Sequence, residues 1–169
     1  VLATGSQSND FGTPGVRDNC LFMDSRAQAD SFRERFLNAC LHANHESKPV
    51  SVAIVGGGAT GVELAAELHH AVSMLNFYGH EHLDRKHLQV DIIEAAPRIL
   101  PVLSERVSAT ATKRLEGLGV KVRTGVMVAE ATPEALVPKD GDPIKADLLV
   151  WAAGVKCPEW LSTRRSDQQ

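Results

Sequence analysis

Six apolar-rich residues, Val50–Val55, run directly into Gly56-Gly57-Gly58-Ala59-Thr60-Gly61, and no other stretch of the 169-residue chain restricts its fold so tightly. An almost wholly apolar strand of this length suits the centre of a parallel sheet, covered on both faces. Residues 62–75 are apolar around most of a helical circumference, so a buried helix is expected to follow. The pattern G-x-G-x-x-G is weak alone, but between a strand and a helix it marks a turn that binds a diphosphate. Gly56 permits the tight turn, Gly58 has no side chain to keep phosphates off the backbone, and Gly61 lets the helix pack on the strand. The N–H groups of the segment, Gly57, Ala59 and Thr60 included, and the positive end of the helix dipole then face the phosphates.

The rest of the chain alternates in the same way. Residues 1–24 read as a strand end and a loop, with Asn9-Asp10 and Gly12-Thr13-Pro14-Gly15 as turn formers. A helix starts near Asp24-Ser25, either of which caps it, and Lys48-Pro49 ends it. Its Ala29, Phe32, Phe36, Cys40 and Ala43 share one face. A polar insert over 78–86 leads into a second strand, Leu88–Glu94, and Pro97 to Pro101 forms a loop. Ser104 caps a third helix with Val107, Ala111 and Leu115 on one face, ended by Gly117 and Gly119. Short strands at 121–125 and 126–131, a hairpin turn at Asp140-Gly141 and an apolar strand over 146–154 complete the series. This order predicts an α/β, Rossmann-like fold: a mostly parallel sheet with helices on both faces, plus an antiparallel hairpin or meander.

A dinucleotide site also needs an acid at the end of the second strand, to accept hydrogen bonds from the adenosine ribose. Glu94 stands there. It lies 33 residues beyond Gly61, where roughly 20 from the motif is usual. The polar insert absorbs the excess, because a longer helix and loop leave the strand end in place. A carboxylate here repels a 2′-phosphate, so NADH is expected over NADPH, with Arg98 as a neighbour able to reach such a phosphate.

Composition closes off other classes. A net charge of −3 without a Lys/Arg run argues against nucleic acid as a partner. No apolar stretch approaches the roughly 18 to 20 residues needed to cross a bilayer, and no secretory leader pattern is present. Cys20, Cys40 and Cys157 are far apart and odd in number, which encodes neither a disulfide framework nor a zinc site and suggests a reduced, soluble compartment. His69, His70, His80, His82 and His87 crowd together without ligand geometry, so no metal is expected. Tyr78 lacks the Tyr-x-x-x-Lys partner of short-chain dehydrogenases, G-x-S-x-G is missing, and Cys157 before a proline reads as an inert thiol.

VLATGS, VGGGATGVELAAEL, IIEAAPRILP and LLVWAAGV, in this order, resemble the flavoproteins with two dinucleotide-binding domains. More closely, residues 1–160 resemble type II NADH dehydrogenases, the single-subunit NADH:quinone oxidoreductases. The resemblance implies an NADH domain inserted between two parts of an FAD domain, with the chain crossing between them at VLATGS and VWAAGV. Residues 1–24 then form a strand end and crossing segment, 25–156 the NADH-binding Rossmann-like domain, and 157–169 a crossing segment and polar tail. The FAD domain and the segments that meet quinone and the membrane surface are expected outside this sequence.

The same resemblance implies that Gly56, Gly58 and Gly61 hold the pyrophosphate, Glu94 the ribose and Val126 the adenine. Ala153 and Gly154 let the dinucleotide pass the end of the last strand. Glu63 is placed near the nicotinamide and the flavin, as the catalytic candidate; read from the residues alone, it is an acid favoured by the helix dipole. The parent enzyme passes a hydride from NADH to FAD and on to quinone, and is peripheral on the cytoplasmic side of a bacterial inner membrane. A homodimer is allowed. The fragment alone is expected to bind NADH, to hold no flavin and to be inactive. Two alternatives stay open: the NAD(P)H domain of a ferredoxin or disulfide reductase, and a non-catalytic module that binds a dinucleotide to report redox state.

Overall fold

A computed structural model of the chain describes residues 5–46, 48–77 and 87–158. Tyr78, His80, His82 and the rest of the polar insert lie outside them. The elements in order are α1 (Val16–Asn19), β1 (Leu21–Phe22), α2 (Arg26–Glu46), β2 (Val50–Val55), α3 (Ala59–Phe77) and β3 (Leu88–Glu94). There follow α4 (Glu105–Leu118), β4 (Lys121–Thr124), β5 (Val128–Ala131), β6 (Ala135–Pro138), β7 (Ile144–Lys145) and β8 (Leu148–Trp151). Five strands form a parallel sheet in the order β1-β8-β2-β3-β4, and β5-β6-β7 form a separate antiparallel sheet.

Local chemistry sets the helix ends. The Ser25 hydroxyl accepts from Gln28 N–H at 3.3 Å, and the Ser104 hydroxyl from Val107 N–H at 3.4 Å. Gly119 closes α4 in the left-handed region at φ 97°, whereas Gly117 lies within the helix. The inward face of α4 differs from the one expected. Val107 is 45% exposed, and Ser108 is buried in its place. The reason is a hydrogen bond: Ser108 Oγ donates to Ile99 O at 2.7 Å, so the helix turns its hydroxyl, not the valine, toward the loop after β3. The short α1 and β1 were read from sequence only as loop. Leu21 and Phe22 pair with Val150 and Trp151 at the sheet edge.

Both faces of β2 are covered, as its apolar run requires, but by different material. Val50, Val52 and Ile54 pack with Phe32, Phe36, Leu68 and Leu115 under α2, α3 and α4. Ala53 and Val55 point the other way, among Val128, Leu136 and Ile144 of the antiparallel sheet. Leu148 and Val150 against Leu149 and Trp151 repeat this period-two division in β8. Helices thus lie on both faces but unevenly: the three long ones share one face, and the four-residue α1 lies with the meander on the other.

Right-handed crossovers explain the division. The connections β1–α2–β2, β2–α3–β3 and β3–α4–β4 all step along the sheet in one direction, which places their helices on one face. The return from β4 to β8 steps backward, so the meander it carries falls on the opposite face.

Candidate functional site

Strand β2 is the point where the sheet's connections diverge. Its chain leaves toward β3 on one side, while β8 on the other side is reached last and from the opposite direction. Diverging connections open a crevice beyond the carboxyl ends of such strands. A cavity of about 740 Å³ lies there, lined by Gly56, Gly58, Glu94, Val126, Ala153 and Gly154 among others. Six of the residues proposed from sequence thus meet around one space. Gly57 and Gly61 are buried beneath it, while Ala59, Thr60 and Glu63 are exposed on the first turns of α3 and do not line it.

The glycines divide by task. Gly56 has φ 111°, and a Cβ there would stand 2.7 Å from the carbonyl of Ala152. A Cβ on Gly61 would overlap Gly56 O. A Cβ on Gly58 would meet nothing within 4 Å. The first two glycines are required by the fold, and the third leaves open space. Val62 N–H donates to Gly58 O at 3.1 Å, so the N–H groups of Ala59, Thr60 and Gly61 have no carbonyl within the helix to meet. Open space beside such N–H groups, at a helix start, fits a diphosphate.

Glu94 ties this turn to its neighbours. Its Oε2 accepts from Gly57 N–H at 2.6 Å and its Oε1 from Ala96 N–H at 2.8 Å. Its main-chain carbonyl accepts from Val126 N–H at 3.0 Å. Each carboxylate oxygen keeps a second lone-pair direction for a ribose hydroxyl. Arg98 is placed otherwise than the sequence suggested. Its guanidinium donates to the carbonyls of Leu100 (3.3 Å), Pro101 (2.8 Å) and Leu103 (2.8 Å), which binds the loop after β3, and Arg98 does not line the cavity.

Phe11, Met127 and Lys139 also line the cavity, and no sequence pattern marks them. Gln7 and Lys156 form an antiparallel bridge, with N–H···O distances of 2.9 and 2.7 Å. Asn9 N–H donates to Ala153 O at 3.3 Å, and Trp151 Nε1–H to Asn9 O at 2.8 Å. Phe11, at φ 52°, has its N–H held by Asn9 Oδ1 at 3.0 Å. Its ring lies so close over Gly154 that a Cβ on that glycine would overlap it. Only the turn formers around Asn9 hinted at an ordered loop.

Three groups away from this cavity are shifted by contacts or burial within the fold. A hydrogen bond from the Arg17 guanidinium holds the Asp10 carboxyl below its usual range. Burial pushes the thiols of Cys20 and Cys40 up to about 12 and about 11, while Cys157 is exposed. Among the described residues, no group of three His, Cys, Asp or Glu could hold a metal ion.

Three comparisons bear on this geometry. The family described as pyridine nucleotide-disulphide oxidoreductase matches residues 1–165. The chain is 45% identical to the type II NADH:quinone oxidoreductase of Haemophilus influenzae, with 92% of this chain and 39% of that protein covered. It is 31% identical to an external alternative NAD(P)H-ubiquinone oxidoreductase, B1, of Arabidopsis thaliana mitochondria, over 92% of this chain and 29% of that one. The chain thus spans about two fifths or less of the length of these relatives. Its fold matches that of NDH2 from Plasmodium falciparum, solved in complex with NADH, at TM-score 0.80 and 24% identity over 92% of this chain and 34% of that one.

Proposed function

The chain belongs to the pyridine nucleotide-disulphide oxidoreductase family, and from that premise we propose that it is the NADH-binding part of a flavin-dependent NADH:quinone oxidoreductase. One observation carries the reading: the open space at Gly58 and the carboxylate of Glu94 face a single cavity at the divergence point of the sheet. The N–H groups at the start of α3 hold the diphosphate. Glu94 accepts from the adenosine ribose and, through Gly57, keeps the turn in shape. Val126 meets the adenine, and Ala153 and Gly154 let the dinucleotide pass the end of β8. Glu63, exposed one turn into α3, faces the nicotinamide once the flavin domain is in place.

FAD, carried by the parts of the parent protein that relatives possess beyond the matched region, accepts the hydride and passes electrons to quinone. On this reading residues 25–156 are the NADH domain. Residues 1–24, which also add the edge strand β1 and the Phe11 loop to this unit, and residues 157–169 connect it to the flavin domain, and other segments meet the membrane surface. Among the described residues, no helix is long and apolar enough to cross a membrane.

The test is a titration of NADH and NADPH into the wild type and Gly58→Val at matched ionic strength, followed by calorimetry and Trp151 fluorescence. NADH is expected to bind at least tenfold more tightly than NADPH, a difference of about 1.4 kcal/mol. Gly58→Val is expected to keep its circular dichroism and lose binding, because its side chain enters open space that the phosphates need. The chain itself is expected to be colourless and to reduce no quinone. Unchanged affinity in the folded variant, a preference for NADPH, or a flavin absorbance band would reject the reading.

A further inference from the structure

Phe11 combines three features that the fold alone does not explain. It is 65% exposed, although it is a large apolar side chain. Its backbone sits in the left-handed region at φ 52°, which bulky residues avoid. Its ring lines the cavity over Gly154, after the end of β8, where any Cβ would overlap the ring. The loop around it is fixed rather than loose. Asn9 holds Phe11 N–H with its side chain and receives the Trp151 indole N–H on its carbonyl.

The direction of the site identifies what such a ring meets. Glu94, at the end of β3, takes the adenosine ribose, and the phosphate turn follows β2. The remaining half of a dinucleotide therefore runs toward the end of β8, where Phe11 stands. We propose that Phe11 is an aromatic contact for the nicotinamide end of the dinucleotide, held ready by Asn9 and admitted by Gly154. The dihydronicotinamide ring of NADH is nearly flat but not aromatic, so its gain against the Phe11 ring comes from the apolar area the two bury and from dispersion contact. A pre-positioned ring also loses little freedom on binding. This inference rests on the NADH reading above and adds to it a residue that recognises one half of the ligand.

NADH and ADP-ribose, which lacks the nicotinamide, separate the two halves. Both are titrated by calorimetry into the wild type, Phe11→Ala, Phe11→Gly and Phe11→Tyr. Phe11→Ala is expected to bind NADH at least fivefold more weakly and ADP-ribose within twofold of wild type, while Phe11→Tyr retains both affinities. Phe11→Gly relieves the left-handed backbone, so it secures a folded variant lacking the ring and should behave as Phe11→Ala does. Equal weakening of both ligands, or none of either, overturns the proposal while the NADH reading stands. A wild type that binds neither ligand overturns both.

Discussion

On the β3 flank of the cavity, the ties converge on one short segment, from Glu94 to the loop after it, which joins the turns after β2 and β4. Glu94 accepts from Gly57 and Ala96, and Arg98 donates to three carbonyls between residues 100 and 103. On the β8 flank the partners come from opposite ends of the described chain: Asn9 with Trp151, Phe11 with Gly154, Gln7 with Lys156. The first flank is set by a charged group fixed at a strand end and forms once β3 lies beside its sheet neighbour β2. The second exists only after two remote segments have met. One flank thus needs only neighbouring strands of the sheet, and the other needs the two ends of the described chain.

The largest effect is expected where the two flanks share their footing. Gly61→Ala drives a methyl group into Gly56 O, backbone that cannot move aside, and should cost at least about 3 kcal/mol in urea unfolding. Gly58→Ala should stay within about 0.5 kcal/mol of wild type, as befits a surface change. Similar midpoints for the two would show that the turn is not what joins the flanks.

Glu94→Ala tests the β3 flank. Losing a charged acceptor from two backbone N–H groups should cost about 2 kcal/mol of stability, and NADH affinity should fall at least tenfold. Because Arg98 is engaged elsewhere, the preference for NADH over NADPH should narrow without reversing. A reversal in calorimetry would show that Arg98 leaves its carbonyls. Trp151→Phe tests the remote flank more gently. It removes one hydrogen bond to Asn9 O, worth about 1 kcal/mol, and should weaken NADH less than Glu94→Ala does. An equal or larger loss of affinity would reverse the ranking of the flanks.

At neutral pH the two cores behind the cavity add nothing to these differences, and their effect emerges only in alkali. Cys20 and Cys40 are neutral thiols in the fold, with values raised from 9.0 to about 12 and about 11. The unfolded chain loses these protons first, so the stability they confer is complete below pH 9 and declines as pH rises toward 11 and 12. Unfolding midpoints at pH 8 and pH 10.5 should therefore draw apart. The gap should shrink in Cys20→Ala/Cys40→Ala, and an unchanged gap would assign the alkaline loss to other groups.

The contrast between flanks also accounts for what could be read from sequence. β2, the glycine turn, β3 with Glu94, the Ser104 cap and the Asp140-Gly141 turn depend on neighbours within a few residues, and all were legible. The distribution of helices was not, because it follows from strand order: nothing in the residues says that β8 slots between β1 and β2. Ser108 was missed for Val107 because its hydrogen bond to Ile99 O outweighs hydropathy. Arg98 looked available because its three acceptors are main-chain carbonyls, which carry no sequence signal. Phe11 was passed over because its partner Gly154 lies near the other end of the chain.

The bridge between Gln7 and Lys156 has one further consequence. Hydrogen-bonded antiparallel partners stand roughly 5.5 Å apart at their Cα atoms, so the segments at Gln7 and Lys156 are adjacent. A host loop receiving such a unit has its own ends held about as close as a tight turn would hold them. The entropy of closing a loop of well over a hundred residues is then met inside the guest and does not fall on the host. The same adjacency makes the unit a natural subject for circular permutation: a short Gly/Ser linker joining the two segments, with new termini opened at the exposed Asp140-Gly141 turn, should leave the cavity intact.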